Sequence, residues 1–210
     1  MRNPGGNFYE GDRTLASLWD VDVKNPDPGF LNLRAASAIA ERNIVKNLDA
    51  MWALFEPYAD TDFRTEFARQ PDTRFWEMYL ACRLLSAGRT LLPAADRKRT
   101  GGQPDICILD GGRRIWIEAI APSIGQEGPD QVVGPKAIDG QVAVGAMPVR
   151  QAQLRISSAL LAKSKKLDTY LRDGSIAEDD VRLIAVGACQ FHIYALDEPT
   201  PTALSSVLPI

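Results

Sequence analysis

The chain's pattern predicts an α/β protein, with a mixed central sheet flanked by helices and a helical extension at its N-terminal end. Three observations carry this. Two strongly periodic helical segments, Pro71 to about Ala87 and Gln151–Arg172, are separated by residues that lose the helical period. Two short apolar runs, Ile106–Leu109 and Arg113–Ile120, are joined by Asp110-Gly111-Gly112, a hairpin signal. A further apolar run, Val181–Gly187, follows the second helix and reads as a buried strand.

Taken in order, residues 1–30 are rich in Gly, Pro, Asn and Asp and read as an irregular arm. From Asn32 to about Tyr58, Ile39, Ile44, Leu48, Met51, Trp52 and Phe55 recur at near-helical spacing, and Pro57 marks the end. A short helix around Asp62–Ala68 follows, and Pro71 opens the next helix at the position where a first-turn proline is tolerated. Thr90–Leu92 and Phe191–Ala195 are further strand candidates. Residues 122–149 form a long Gly- and Pro-rich loop, a length associated with functional lids or disordered excursions. The organisation is thus an arm and helical extension over 1–70, an α/β core over 71–196, and a proline-punctuated tail over 197–210.

The 210 residues are 45% hydrophobic, enough for one well-packed core, and the formal net charge of −3 supplies no overall basic field. Cys82, Cys107 and Cys189 lie in apolar stretches, a pattern of small core residues in a reducing cytoplasm and not of a disulfide framework or zinc site. The segment Met1–Glu10 lacks the character of a signal peptide, and no apolar stretch approaches the ~20 residues of a membrane span. A cytoplasmic protein with no membrane partner is expected. One histidine, His192, and no G-x-S-x-G or phosphate-loop motif leave triad, zinc-hydrolase and P-loop chemistries without support.

The hairpin carries the chemistry. A two-residue turn at Gly111-Gly112 pairs Asp110 with Arg113, and counting back pairs Asp105 with Glu118; a turn at Asp110-Gly111 makes the two diagonal neighbours on one face, and a three-residue loop breaks the parity. Directly opposed residues share a face, with Cβ atoms roughly 4.5–5.5 Å apart. Ile106, Ile108, Ile115 and Ile117 occupy one face, whereas Cys107, Leu109, Trp116 and Ile120 share the other with the carboxylates. A strand pair apolar on both faces is covered on both sides. Two facing carboxylates there need a proton, an arginine or a bridging cation. The structural alternative is that Asp105 caps a strand while Glu118 meets Arg114 or a helix. On the preceding helix, Glu77 lies in line with Leu80, Ala81 and Leu84 and points inward, which makes it a candidate third ligand. An all-oxygen set of this kind suits Mg²⁺ or Mn²⁺.

These residues resemble the PD-(D/E)XK nuclease superfamily, the restriction-endonuclease-like fold. The matching text is Pro104-Asp105, the hairpin, and Glu118-Ala119-Ile120, preceded by the helix bearing Glu77. The resemblance spans about Pro71 to Gly187 and implies an αβββαβ core. In it Asp105 and Glu118 would hold the metal, and Glu77 would bind it directly or through water. The family's lysine, two residues after the second acid, is replaced here by Ile120.

The helix Gln151–Arg172 offers a substitute charge. Measured from Arg155 at about 100° per residue, Ala159, Lys163, Lys166 and Tyr170 fall within an arc of about 80°. The resembling fold packs this helix beside the metal-bearing sheet, and by that likeness Lys163 or Lys166 would reach the acids as a catalytic cation; the alternative is a solvated basic face with Tyr170 at its edge. Arg155 would bind a phosphate or pair with Glu77, and Tyr170 would sit at the substrate edge. Arg97-Lys98-Arg99, just before Asp105, and Arg113-Arg114, beside the turn, offer a phosphate track. Two functions follow: metal-dependent phosphodiester hydrolysis on nucleic acid, or a catalytically inactive relative that binds nucleic acid or a protein partner.

Overall fold

The computed structural model describes residues 16–97, 102–128, 131–133, 148–188 and 191. The element order is α1 (Pro28–Ala35), α2 (Ile39–Phe55), α3 (Phe63–Arg69), α4 (Pro71–Ser86), β1 (Thr90–Leu91), β2 (Ile106–Asp110), β3 (Arg113–Ile120), α5 (Val149–Arg172) and β4 (Val181–Val186). The sheet runs β1-β2-β3-β4. Its first three strands are antiparallel neighbours, and β4 returns parallel to β3 after the α5 crossover. The expected α/β class with a mixed sheet is therefore present, in the element order read from the sequence. Among the described residues no helix is long and apolar enough to cross a membrane.

The N-terminal segment departs from the sequence reading. The expected single helix from Asn32 to Tyr58 is two helices and a turn. Asp27 caps α1, its Oδ1 accepting from the Gly29 N–H at 2.7 Å, and Pro28 occupies the first turn. The chain breaks at Ala36, which adopts a left-handed φ of 45°, before α2 begins. The Glu41 carboxylate accepts from the Ala38 N–H at 2.8 Å and closes the first turn of α2. Part of the expected irregular arm is also in the core, since Leu18 and Phe30 are fully buried. Trp19, Phe30, Phe67, Phe63, Phe55 and Trp52 form a chain of ring contacts that binds α1, α2 and α3 together.

These helices share one apolar cluster with α4 and with Ile106, Ile108 and Ile117 of the sheet. The opposite sheet face packs Cys107 and Trp116 against Leu167 and Tyr170 of α5 and against Ile176. Both faces are covered, and the alternation of Ile106/Ile108 against Cys107 along β2 assigns each layer as the pattern requires. Trp116 Nε1 donates to Asp180 Oδ2 at 2.8 Å, which ties the centre of β3 to the turn before β4. Of the expected strand Phe191–Ala195, only Phe191 is described. Its N–H donates to the Ala188 carbonyl at 3.2 Å. His192, Cys189, Lys98, Arg99, most of the 122–149 loop and the 197–210 tail lie outside the described residues.

The seam between α4 and β4 is close-packed at one point. Trp76 Nε1 donates to the Ala185 carbonyl at 3.0 Å, and a Cβ at Gly187 would lie 2.8 Å from Trp76 Cδ2. Gly187→Ala is therefore expected to lower stability by about 1–3 kcal/mol through overpacking, measured as a shift of the denaturation midpoint.

Candidate functional site

The β2–β3 ladder has the register that a Gly111-Gly112 turn imposes, from Asp110 opposite Arg113 to Ile106 opposite Ile117. One further step sets Asp105 against Glu118. Asp105 Oδ2 accepts from the Ala119 N–H at 2.8 Å, so the side chain is fastened to the strand that carries its partner. Glu118 is fully buried and Asp105 largely so.

The positive charge comes from α5. Lys163 Nζ hydrogen-bonds Glu118 Oε2 and lies 3.5 Å from Asp105 Oδ2, so one ammonium serves both carboxylates. Lys166 Nζ stands 3.2 Å from Glu118 Oε1. It also lies 5.3 Å from the centroid of the Tyr170 ring. Ile120 contributes no charge: it pairs with Val186 of β4, and its carbonyl accepts from the Gly187 N–H at 2.8 Å.

Burial raises the Glu118 carboxyl above its ordinary range and Asp105 adds to the rise, while Lys163 and Lys166 oppose it. Burial pulls Lys166 down, but its bond to Tyr170 and the fields of Glu118 and Asp105 outweigh this and raise it. Tyr170 is itself raised, chiefly by burial.

Glu77 approaches from the other sheet face. It is buried, and its Oε2 accepts from Arg74 Nη1 at 2.7 Å. Burial and then the Asp105 charge push its carboxyl up to about 8, against the pull of Arg74. The expected alternative partner, Arg155, is engaged elsewhere. It donates from Nε to the Ser123 carbonyl at 3.1 Å and from Nη2 to Ser123 Oγ at 3.0 Å, anchoring the start of the long loop.

Of the expected phosphate track, Lys98 and Arg99 lie outside the described residues. Arg97 is buried, not exposed on a wet loop. Its guanidinium donates to the carbonyls of Pro104 at 3.2 Å, Asp105 at 2.8 Å and Tyr58, and pairs with Asp60 at 3.4 Å. It clamps the entry of β2 to the turn Glu56–Tyr58 and offers nothing to a ligand. Arg113 is exposed but stands five residues from Glu118 along β3, roughly 17 Å at the usual strand rise. Tyr170 is buried beneath Lys166, as a support for that cation.

Two residues the sequence reading missed join the site, Arg74 and Asp60. Arg74 precedes Glu77 by three positions on one helix, the spacing at which opposite charges meet, and that signal is present in the sequence. Asp60 follows the turn Glu56–Tyr58 and has no such local cue. Burial raises its pKa, Arg97 opposes the rise, and Asp105 reinforces it.

Among the described residues no three His, Cys, Asp or Glu side chains form a metal-holding group. The Asp105–Glu118 pair nevertheless fits a hard divalent ion, because Mg²⁺ is held by one or two carboxylates while water and phosphate complete its shell. Glu118 Oε1 is buried without a hydrogen bond, its neighbour Lys166 lying at ion-pair distance only. No protein-family model matches the chain, and no curated protein or solved structure matches it.

The raised Glu77 pKa gives a pH dependence of known sign. The folded state holds the proton from the ordinary range near 4.5 up to about 8, whereas the unfolded chain releases it. Stability therefore falls as pH rises through that window. Glu77→Gln is expected to make the decline between about pH 5 and 8 shallower in chemical denaturation measured at several pH values. An unchanged slope would place the proton elsewhere.

Proposed function

We propose that this chain is a restriction-endonuclease-like protein that hydrolyses phosphodiester bonds in nucleic acid, using Mg²⁺ or Mn²⁺ held by Asp105 and Glu118. The observation that carries this reading is the Lys163 ammonium shared by the two carboxylates. It supplies from a helix the charge that Ile120 does not supply from the strand.

When bound, a divalent ion contributes Lewis acidity toward the scissile phosphate and a water of lowered pKa. Lys163 and Lys166 offset the negative charge that grows on the phosphate during displacement, in a partly buried setting where such charges count for more than in water. Asp105 is kept in position by the Ala119 N–H. Glu77, buried on the other sheet face, supports this site through its bond to Arg74.

A binding-only function is the second reading. Its support is that the two lysines already balance the buried pair and that Ile120 occupies the family's lysine position.

The test is cleavage of single- and double-stranded DNA and RNA with Mg²⁺ or Mn²⁺. Asp105→Asn and Glu118→Gln should reduce cleavage to background, and Lys163→Met should lower kcat by about 10²–10³. Cleavage unchanged in the two carboxylate variants would overturn the hydrolytic reading. Strand binding without cleavage under any metal condition would favour the second one. Calorimetry should show Mn²⁺ binding that Glu118→Gln removes.

A further inference from the structure

A cleft of about 940 Å³ opens at Asp105 and is lined also by Arg74, Lys166, Tyr170, Asp60 and Asp62. Its cations differ in how they are held. Lys166 belongs to the charge-balanced pair. Arg74 reaches the cleft from α4, with about a quarter of its side chain exposed.

One edge of the Arg74 guanidinium is fixed. Its Nη1 donates to the buried Glu77 at 2.7 Å, and its central carbon lies 5.9 Å from the centroid of the Phe63 ring. Among the described residues Glu77 is the acceptor it engages. A guanidinium presents five N–H groups in a rigid fork, so fixing one edge leaves others directed by the same plane. That planar fork matches two oxygens of a phosphate, and the charge persists at every working pH.

We propose that Arg74 is a phosphate-holding residue, gripping the backbone of the bound strand together with Lys166, next to Asp105 and Glu118. This inference rests on the nucleic-acid reading above and adds a residue outside the family-like motif. The charge of the lining makes the role consequential. Glu56, Asp60, Asp62 and Asp105 contribute four carboxylates to the cleft lining, against the two cations Arg74 and Lys166. Arg97 pairs with Asp60 at 3.4 Å. A polyanion entering this cleft therefore depends on each cation more than it would on a basic surface.

The test is fluorescence anisotropy of short labelled DNA and RNA strands with the full chain, without added divalent ion, across a salt series. Arg74→Gln is expected to weaken binding about tenfold, in line with a charge-assisted hydrogen bond. It should also flatten the salt slope by about 0.7, the share of one phosphate that is no longer neutralised. Arg74→Lys, which keeps a point charge but loses the fork, should bind less tightly with the slope retained. Thermal melts establish that each variant is folded, and if Arg74→Gln is not, Arg74→Lys carries the comparison. Wild-type affinity and slope in a folded Arg74→Gln, or wild-type affinity in Arg74→Lys where the glutamine variant does not fold, would overturn the role of Arg74 alone. Absence of strand binding by the unmodified chain would overturn the nucleic-acid reading together with it.

Discussion

Placing the Glu118 carboxylate out of solvent is the constraint around which the molecule is arranged. A buried charge costs several kcal/mol unless it is paired and hydrogen-bonded. Its strand neighbour, Asp105, makes matters worse by adding a second negative charge on the same face. The compensation comes from Lys163 and Lys166, so α5 must dock with its lysine-bearing stripe toward this end of the sheet. Once it does, Leu167 and Tyr170 cover Cys107 and Trp116, and the chain leaving α5 is delivered to the open side of β3. Packing and charge thus select the same orientation of one helix.

The second layer answers a different requirement. Ile106, Ile108 and Ile117 need an apolar cover, which α4 provides with the aromatic cluster of α1–α3 behind it. Glu77 is the exception in that layer, a carboxylate among Met78, Ala81 and Cys82. Its bond to Arg74 carries the polar layer across α4 to the cleft, so the sheet is approached by charge from both sides near Asp105.

What can be read in the sequence follows from how local each cause is. The Asp105–Glu118 pairing is legible because a two-residue turn fixes register, and register fixes facing partners. The lysine stripe is legible because α5 is long and regular enough for helical geometry to hold over several turns. Arg97 is not. Its neighbours Lys98 and Arg99 suggest a solvated loop, whereas its partners are carbonyls supplied by Tyr58 and Pro104, which no periodicity links to it. The partner of Arg155 is hidden for the same reason, since Ser123 lies in an aperiodic segment. The start of α1 escapes notice although Asp27-Pro28 is a cap followed by a first-turn proline; the surrounding Gly, Pro and Asp residues mask it.

Presenting the positive charge from a helix has a consequence for robustness. Along a strand, same-face positions recur about every 6.8 Å, so a position after Glu118 can present only one cation to that carboxylate. On a helix, residues three apart rise only about 4.5 Å and still share a face. Lys163 and Lys166 accordingly reach the two oxygens of one carboxylate from adjacent turns. The buried acid has duplicate counterions, and removing either lysine leaves it still compensated. Ile120, two residues along β3 from Glu118, is an apolar rung of the β3–β4 ladder.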